Sequence, residues 1–197
     1  MYRFPRDQYT ATGTQNHSMK RIALSILFIL LALTGCKKNN GPRYSGTMTI
    51  NNEAVDQNYS VYGFSVPTGQ KVLNLSNQQD VITIQPDFDV NYNVRRLFFA
   101  SNNLENSYFR FGQYNDGTSA SQAFKNLTSF TNPEWTQMGD TIKANQIWLF
   151  KTSEEKYAKL LIISTFSEKR ANMPFPYAEC TFEWVYQPDG SLTFAVE

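Results

Sequence analysis

Several signatures of catalysis are missing from this sequence, and histidine occurs once, at His17. There is no phosphate-binding glycine loop, no nucleophile elbow and no cysteine cluster, which are the motifs that mark nucleotide, hydrolase and zinc sites. The formal net charge is +1, and no basic stripe is present that would neutralise a nucleic-acid backbone. We therefore expect neither an enzyme nor a nucleic-acid partner.

One apolar run near the start predicts a secretory signal. Ile22–Leu33 follows Lys20 and Arg21 and is too short to cross a bilayer as a helix. A basic start, an apolar centre and small residues afterwards are typical of a signal peptide. The run ends in "LTGC", which resembles the lipobox of bacterial lipoproteins, in which the cysteine is lipidated and becomes the mature N-terminus. The alternative is a buried helix that ends at a chance cysteine.

The lipobox resemblance implies a signal peptide over residues 1–35 and a lipid anchor at Cys36. Several acyl chains on one residue hold a protein stably on a membrane. The expected location is the outer membrane, facing either the periplasm or the cell surface. Residues 1–18 are polar and displace the basic region from the N-terminus, so we interpret them as an over-extended start and Met19 as the natural one.

Cleavage before Cys36 would remove His17 and leave a working chain without histidine. Histidine-activated nucleophiles and histidine zinc sites are then excluded. With Cys36 lipidated, Cys180 is the only thiol, so no internal disulfide is expected. Its place in "YAECTFEWVY" predicts a small apolar residue packed in a strand. From residue 37 onward, 14 Lys and Arg face 16 Asp and Glu, which gives no basic surface.

Short apolar runs separated by turns predict an all-β fold. Residues 36–46 form the lipidated cysteine and a polar tether, and residues 47–197 a single antiparallel β-rich domain. One short helix is expected within residues 119–130, "SASQAFKNLTSF", where Ser119 and Gln122 have capping-box spacing.

The C-terminal third has the clearest strand pattern. "TFEWVY" places Phe182, Trp184 and Tyr186 on one face, and "QPDG" is predicted to turn the chain into a final strand, "SLTFAV". Upstream, Asp87 and Asp89 would share one face of a strand. One interpretation is a pair of carboxylates with a catalytic role. The other, which we favour, is two solvated carboxylates on an edge face of the sheet.

Beyond the residues that would be cleaved, three methionines remain: Met48, Met138 and Met173. Met48 alternates into a predicted strand and is expected in the core. Met138, in "EWTQMGDT", and Met173, in "KRANMPFPY", lie in turn-rich stretches where a methionine is less easily explained as core filler. A methionine in a loop is nevertheless more often a packing contact than a ligand.

The segments "FKTSEEKYAKLLIIS" and "CTFEWVYQPDGSLTF" are similar to the C-terminal half of HmuY-family haem-binding lipoproteins. "YGFSVPTGQKV" resembles an early strand and turn of that family, and "RRLFFASNNLENSYFRF" more loosely resembles its central strand pair. The likeness covers most of residues 60–195, and its specific part is confined to residues 149–194.

The resemblance implies an all-β domain that holds haem in a cleft between two axial ligands from two loops. The family pattern uses histidines, which this chain lacks after Cys36, and some relatives use methionines. Met138 and Met173 occupy the corresponding loops here and are the expected iron ligands. The expected pocket walls come from the same segments: Phe130, Trp135, Phe175 and Tyr177. The candidate partners of the haem propionates are Lys143, Lys169 and Arg170.

Three functions remain open from the sequence. The first is haem capture at the outer membrane, followed by transfer to an outer-membrane haem receptor that the family resemblance implies. The second is a haem-free relative that binds a glycan or a protein through exposed aromatic side chains. The third is a purely structural surface lipoprotein.

Overall fold

The computed structural model describes residues 44–171 and 173–194. The signal peptide expected over residues 1–35 and the anchor expected at Cys36 lie outside the described residues. Two antiparallel sheets and one short helix make up the regular structure, which confirms the all-β fold class. The described residues belong to one compact unit.

Nine strands and the helix follow one another along the described chain. They are β1 (Ser45–Asn51), β2 (Tyr62–Ser65), β3 (Gln70–Leu73), β4 (Val81–Phe88), β5 (Val94–Ala100), β6 (Tyr108–Gln113), α1 (Gly117–Asn126), β7 (Gln146–Lys151), β8 (Tyr157–Glu168) and β9 (Tyr177–Gln187). The larger sheet has the order β1-β9-β8-β7-β6, and the smaller sheet has the order β3-β2-β4-β5. The chain crosses from one sheet to the other between β5 and β6, so these two strands do not pair.

The main hydrophobic core lies between the two sheets. Strand alternation points Phe182 and Trp184 of β9 inwards, as the sequence predicts, and both side chains are buried. The Phe64 ring of β2 meets them from the smaller sheet, with centroid distances of 5.4 Å to Phe182 and 4.9 Å to Trp184. Cys180 is fully buried in the same core, and burial raises the pKa of its thiol, which therefore stays neutral.

A second hydrophobic cluster covers the outer face of the larger sheet. Ile147 and Leu149 of β7 alternate with the inward residues and pack here with Ala120 and Phe124 of α1. The larger sheet is therefore covered on both faces, by the smaller sheet on one side and by the helix and its loops on the other. This explains why β7 reads as a continuous apolar run rather than an alternating one.

A buried lysine anchors the helix to the sheet. Lys159 of β8 is 4% exposed, and its Nζ donates hydrogen bonds to the carbonyl oxygens of Phe124 at 2.8 Å and Leu127 at 3.0 Å. These carbonyls belong to the last turn of α1, where a helix leaves acceptors unpaired and carries partial negative charge. The same Nζ lies 5.2 Å from the ring centroid of Phe194.

The helix begins earlier than its sequence pattern predicts. Its N-cap is Asp116, whose carboxylate accepts a hydrogen bond of 2.8 Å from the backbone N–H of Ser119. The expected capping box of Ser119 and Gln122 is wrong, because the Gln122 amide donates to Asn126 Oδ1 instead. The helix ends at Asn126, short of the expected residue 130.

The end of the described chain also differs from expectation. Residues 191–194, the described part of "SLTFAV", do not continue a hairpin from β9, because their backbone pairs with residues 128–130. The N–H of Phe130 donates to the Leu192 carbonyl at 3.1 Å, and the N–H of Phe194 donates to the Thr128 carbonyl at 2.8 Å. Alternation alone does not identify which segment a short strand will join. Among the described residues, no helix has the length and hydropathy needed to span a bilayer.

A buried carboxylate joins the ends of both sheets. Asp80, just before β4, is 6% exposed. Its Oδ1 accepts from the backbone N–H of Ser153 at 2.7 Å and from Asn103 Nδ2 at 2.9 Å, and its Oδ2 accepts from Ser153 Oγ at 2.8 Å. Asn103 Oδ1 in turn accepts a hydrogen bond of 2.7 Å from the backbone N–H of Asp80. The β7–β8 turn, the β5–β6 connection and the start of β4 are thus held by one side chain.

We expect Asp80→Asn to lower the free energy of unfolding by about 3 kcal/mol, because an amide NH₂ must then face a buried donor. Asparagine tolerates the left-handed backbone of this position (φ 61°), so the loss reports the carboxylate itself. Urea unfolding measures it. Asp87→Asn is the control, since Asp87 pairs with Arg96 at the surface and should change stability little. Equal stability of the two variants would contradict a structural role for the Asp80 carboxylate.

Candidate functional site

A cleft of about 890 Å³ opens at one end of the sandwich. Ile82 and Ile84 of β4 face the core, and alternation continues this inner face to Pro86 and Phe88, beyond the region that the core fills. Ile84, Pro86 and Phe88 line the cleft, together with the β1–β2 and β8–β9 connections. The cleft is thus an open extension of the space between the sheets, and its size is within the range of small-molecule sites.

Aromatic side chains form a row that starts in this cleft with Tyr59, Phe175 and Phe88 and continues outside its lining to Tyr92. Phe175 lies 6.2 Å from Tyr59 and 6.0 Å from Phe88, and Phe88 stacks on Tyr92 at 5.6 Å, all measured between ring centroids. Tyr59 is 60% exposed and Phe175 is 49% exposed. Two rings are therefore available to a flat ligand without any rearrangement of the core.

Two matching loops present the tyrosines of this row. In "DQNYS" the Asp56 carboxylate accepts from the backbone N–H groups of Asn58 at 2.9 Å and Ser60 at 3.0 Å. Tyr59, between them, has a φ of 59°. The hydrogen bond from the Ser60 backbone is the main cause that lowers the pKa of Asp56.

"DVNYN" repeats the arrangement after β4. Asp89 accepts from the N–H groups of Asn91 at 2.8 Å and Asn93 at 2.9 Å, and Tyr92 has a φ of 64°. The hydrogen bond from the Asn93 backbone is the main cause that lowers the pKa of Asp89. Both carboxylates of the Asp87 and Asp89 pair therefore have structural partners, since Asp87 pairs with Arg96. The repeated D-x-N-Y pattern is the sequence signal that would have located the tyrosines, which sequence reasoning missed.

Met173 lines the aromatic cleft. It is half-buried, and its backbone N–H donates to the Arg170 carbonyl at 3.3 Å in the β8–β9 connection. Met138 is 47% exposed and lines an adjoining cavity of about 370 Å³. Pro86 and Phe88 line both cavities. The two methionines thus lie in neighbouring cavities that share these two side chains.

Met138 is positioned by a segment that closes one side of the sandwich. Gly139 exchanges backbone hydrogen bonds of 2.9 and 3.0 Å with Phe99 of β5, and Thr136 exchanges bonds of 2.7 and 2.9 Å with Tyr108 of β6. Residues 136–139 therefore bridge the edge strands of the two sheets. A Cβ at Gly139 would lie 3.2 Å from atoms of both aromatic residues, so glycine lets this segment come close.

The expected wall residues fall into two groups. Phe175 lines the cleft, and Tyr177 is buried beneath the Arg170 guanidinium. Phe130 and Trp135 instead pack in the cluster on the outer face of the larger sheet, where both contact the Tyr157 ring at centroid distances of 5.3 and 5.9 Å. Neither residue lines the two cavities that hold the methionines.

The three expected cations also separate. Arg170 lines the cleft. Lys169 lies over the Tyr92 ring, with its Nζ 5.2 Å from the centroid. Lys143 lines neither methionine cavity, and its backbone N–H donates to Gln146 Oε1 at 2.9 Å. Of the three, Arg170 is therefore the one that lines the cleft.

The donor chemistry of the two cavities suits a soft metal centre. Over residues 44–171 and 173–194, no group of three or more His, Cys, Asp and Glu side chains could hold a metal ion. The thioethers of Met138 and Met173 are neutral, soft ligands of the type found on haem iron. Apolar walls and a cation at the rim fit a flat anionic cofactor, so the residues present are compatible with haem.

No protein-family model, curated protein or solved structure matches the chain. Its likeness to HmuY-family proteins therefore stays a prediction from the sequence.

We expect the carboxyl groups of Asp56 and Asp89 to titrate below the ordinary aspartate value in a ¹³C NMR pH titration. Their pKa values are lowered in the folded protein, so these loops contribute stability at neutral pH and lose it as pH falls through the lowered values. Replacing Ser60 by proline, which removes the main donor, should raise the Asp56 value and leave Asp89 unchanged. Titration of both groups at the ordinary value would contradict the loop geometry.

Proposed function

We propose that the protein captures haem in the aromatic cleft and its adjoining cavity, with Met138 and Met173 as the axial ligands. Anchored to the outer membrane through Cys36, it would pass haem to an outer-membrane receptor. The observation that carries the proposal is that the two methionines line neighbouring cavities with Pro86 and Phe88 in common. The two residues are 35 positions apart in the sequence, so this proximity of their cavities comes from the fold.

The cleft supplies three things that a haem site needs. Tyr59, Phe88 and Phe175 offer apolar ring surface for the macrocycle. Arg170 offers a positive charge at the rim. The thioethers offer ligands that carry no proton, so ligand binding itself should depend little on pH, unlike a site built from histidine.

Haem iron held by two thioethers is stabilised in the ferrous state relative to imidazole ligation. The protein's own contribution is to hold Met138 on a segment tied to both sheets and Met173 on the β8–β9 connection. Phe88 lines both cavities. Its side chain would therefore have to move for one ligand to contact both methionines.

A second candidate function is binding of a glycan or a protein by the aromatic row alone. The exposure of Tyr59 and Phe175 favours it, because exposed rings on rigid loops are suited to stacking against sugars and aromatic side chains. In that case Met138 and Met173 would be incidental packing residues.

A haem titration of residues 37–197, in oxidised and dithionite-reduced buffer, tests the proposal. We expect a saturable one-to-one change in the Soret band that is stronger in the reduced state. Replacing both Met138 and Met173 by leucine keeps side-chain volume and removes both sulfur atoms. The double variant should bind at least about tenfold more weakly, which corresponds to about 1.4 kcal/mol.

Met48→Leu is the matched control. Met48 packs against the core between the sheets, away from both cavities, so its replacement should leave the titration unchanged. Unaltered spectra in the double variant would overturn the ligand assignment. The absence of any saturable change in the unmodified protein would overturn haem capture, and a glycan array would then test the second candidate.

A further inference from the structure

Arg170 is held in a fixed orientation at the edge of the aromatic cleft. Its guanidinium carbon lies 3.4 Å from the centroid of the Tyr177 ring, and its Nε donates to Glu168 Oε1 at 2.6 Å. The Tyr177 hydroxyl in turn donates to Glu179 Oε2 at 2.6 Å, which fixes the ring beneath it. Stacking and a hydrogen bond on one edge are the contacts that pre-organise a guanidinium for recognition.

The opposite edge of this guanidinium is available. Within the part of the chain that the structure describes, Nη1 and Nη2 of Arg170 donate no hydrogen bond, although the residue lines the cleft. The hydrogen bond to Glu168 raises the pKa of Arg170, so its charge persists throughout the accessible pH range. Two parallel N–H groups on a planar edge match the two oxygens of a carboxylate.

The neighbouring cations are less suited to this role. Arg96, at the adjoining cavity, donates through Nε to Asp87 at 3.0 Å and through Nη1 to Asp140 at 2.7 Å, so two carboxylates compensate its charge, whereas among the described residues Arg170 forms an ion pair with Glu168 alone. Lys169 is directed to the Tyr92 ring and carries a point charge without a planar edge.

One acidic side chain lines the same cleft as Arg170. Glu53 belongs to the β1–β2 connection, and no ion pair joins it to Arg170 among the described residues. Its charge contributes, after the hydrogen bond and charge of Glu168, to the raised pKa of Arg170, so the two side chains lie within electrostatic range of each other. An anionic ligand would be attracted by Arg170 and repelled by Glu53, so the two side chains should have opposite effects on its affinity.

We propose that Arg170 is the carboxylate-recognition residue of this cleft, and that the ligand is a flat aromatic carboxylic acid whose rings pack on Tyr59 and Phe175. The inference rests on the proposed function only in placing the ligand in this cleft. It requires neither iron nor the methionines, because the carboxylate and the ring surface are recognised by different side chains. A haem propionate is one member of this ligand class.

The test uses metal-free protoporphyrin IX, a flat diacid, and its dimethyl ester, which has the same ring without the charges. Binding to residues 37–197 is followed by porphyrin fluorescence. We expect Arg170→Gln to weaken binding of the diacid by about tenfold to a hundredfold and to leave the ester within about twofold. Arg170→Lys should restore only part of the loss, because lysine lacks the planar edge.

Glu53→Gln is the matched variant, since it removes a negative charge where Arg170→Gln removes a positive one. It should strengthen binding of the diacid by several-fold without affecting the ester. Lys169→Gln is the neutral control for loss of one positive charge nearby. An equal loss of diacid and ester in Arg170→Gln would overturn carboxylate recognition and assign Arg170 a purely structural role. A diacid that does not bind the unmodified protein would also overturn it.

The two proposals fail separately. Diacid binding that depends on Arg170, together with haem titrations that are indifferent to Met138 and Met173, supports carboxylate recognition and overturns the axial ligands. Haem binding that depends on both methionines but is unchanged in Arg170→Gln overturns carboxylate recognition and leaves the proposed function in place.

Discussion

The buried carboxylate of Asp80 is the constraint on which the arrangement of the sheets depends. An aspartate that is 6% exposed is costly unless each oxygen accepts hydrogen bonds, and here Ser153 and Asn103 supply them. These partners come from the β7–β8 turn of the larger sheet and from the connection that crosses between the sheets. The hydrogen bonds of one side chain thus tie the β7–β8 turn of the larger sheet to the start of β4 in the smaller sheet.

Much of the fold could be predicted from the sequence because strand alternation is a local property. Phe182, Trp184 and Cys180 occupy the buried positions that their spacing indicates. Pairing between distant segments is not local. The bonds of Asp80 reach 23 residues to Asn103 and 73 residues to Ser153, and residues 192–194 pair with residues 128–130 rather than with β9. The helix α1 starts earlier than predicted because Asp and Ser are about equally good caps, and Asp116 already accepts from the backbone N–H of Ser119 three residues later.

The candidate site was predictable only in part, for a related reason. Met138 and Met173 could be singled out because each lies in a turn-rich segment, where a methionine is less easily explained as core filler. In the structure they line adjoining cavities. Phe130 and Trp135 lie near Met138 in the sequence. Between them and Met138 the chain pairs with the edge strand β6 at Thr136, and the two aromatic side chains pack on the outer face of the larger sheet. Tyr59 and Tyr92 carry no signal as single residues. Only the repeated D-x-N-Y pattern, with its aspartate accepting from two backbone N–H groups, marks them.

The lysine beneath the helix has a consequence for how this domain can change over evolution. Lys159 is acceptable in a buried position because the carbonyl groups of the last helical turn receive its protons. A homologue without the helix would expose an apolar sheet face that carries the charge of the lysine. A homologue without the lysine would leave the carbonyl groups of the last helical turn without this hydrogen-bond donor. The two features are therefore expected to be inherited as a unit, and any homologue that lacks one should also lack the other.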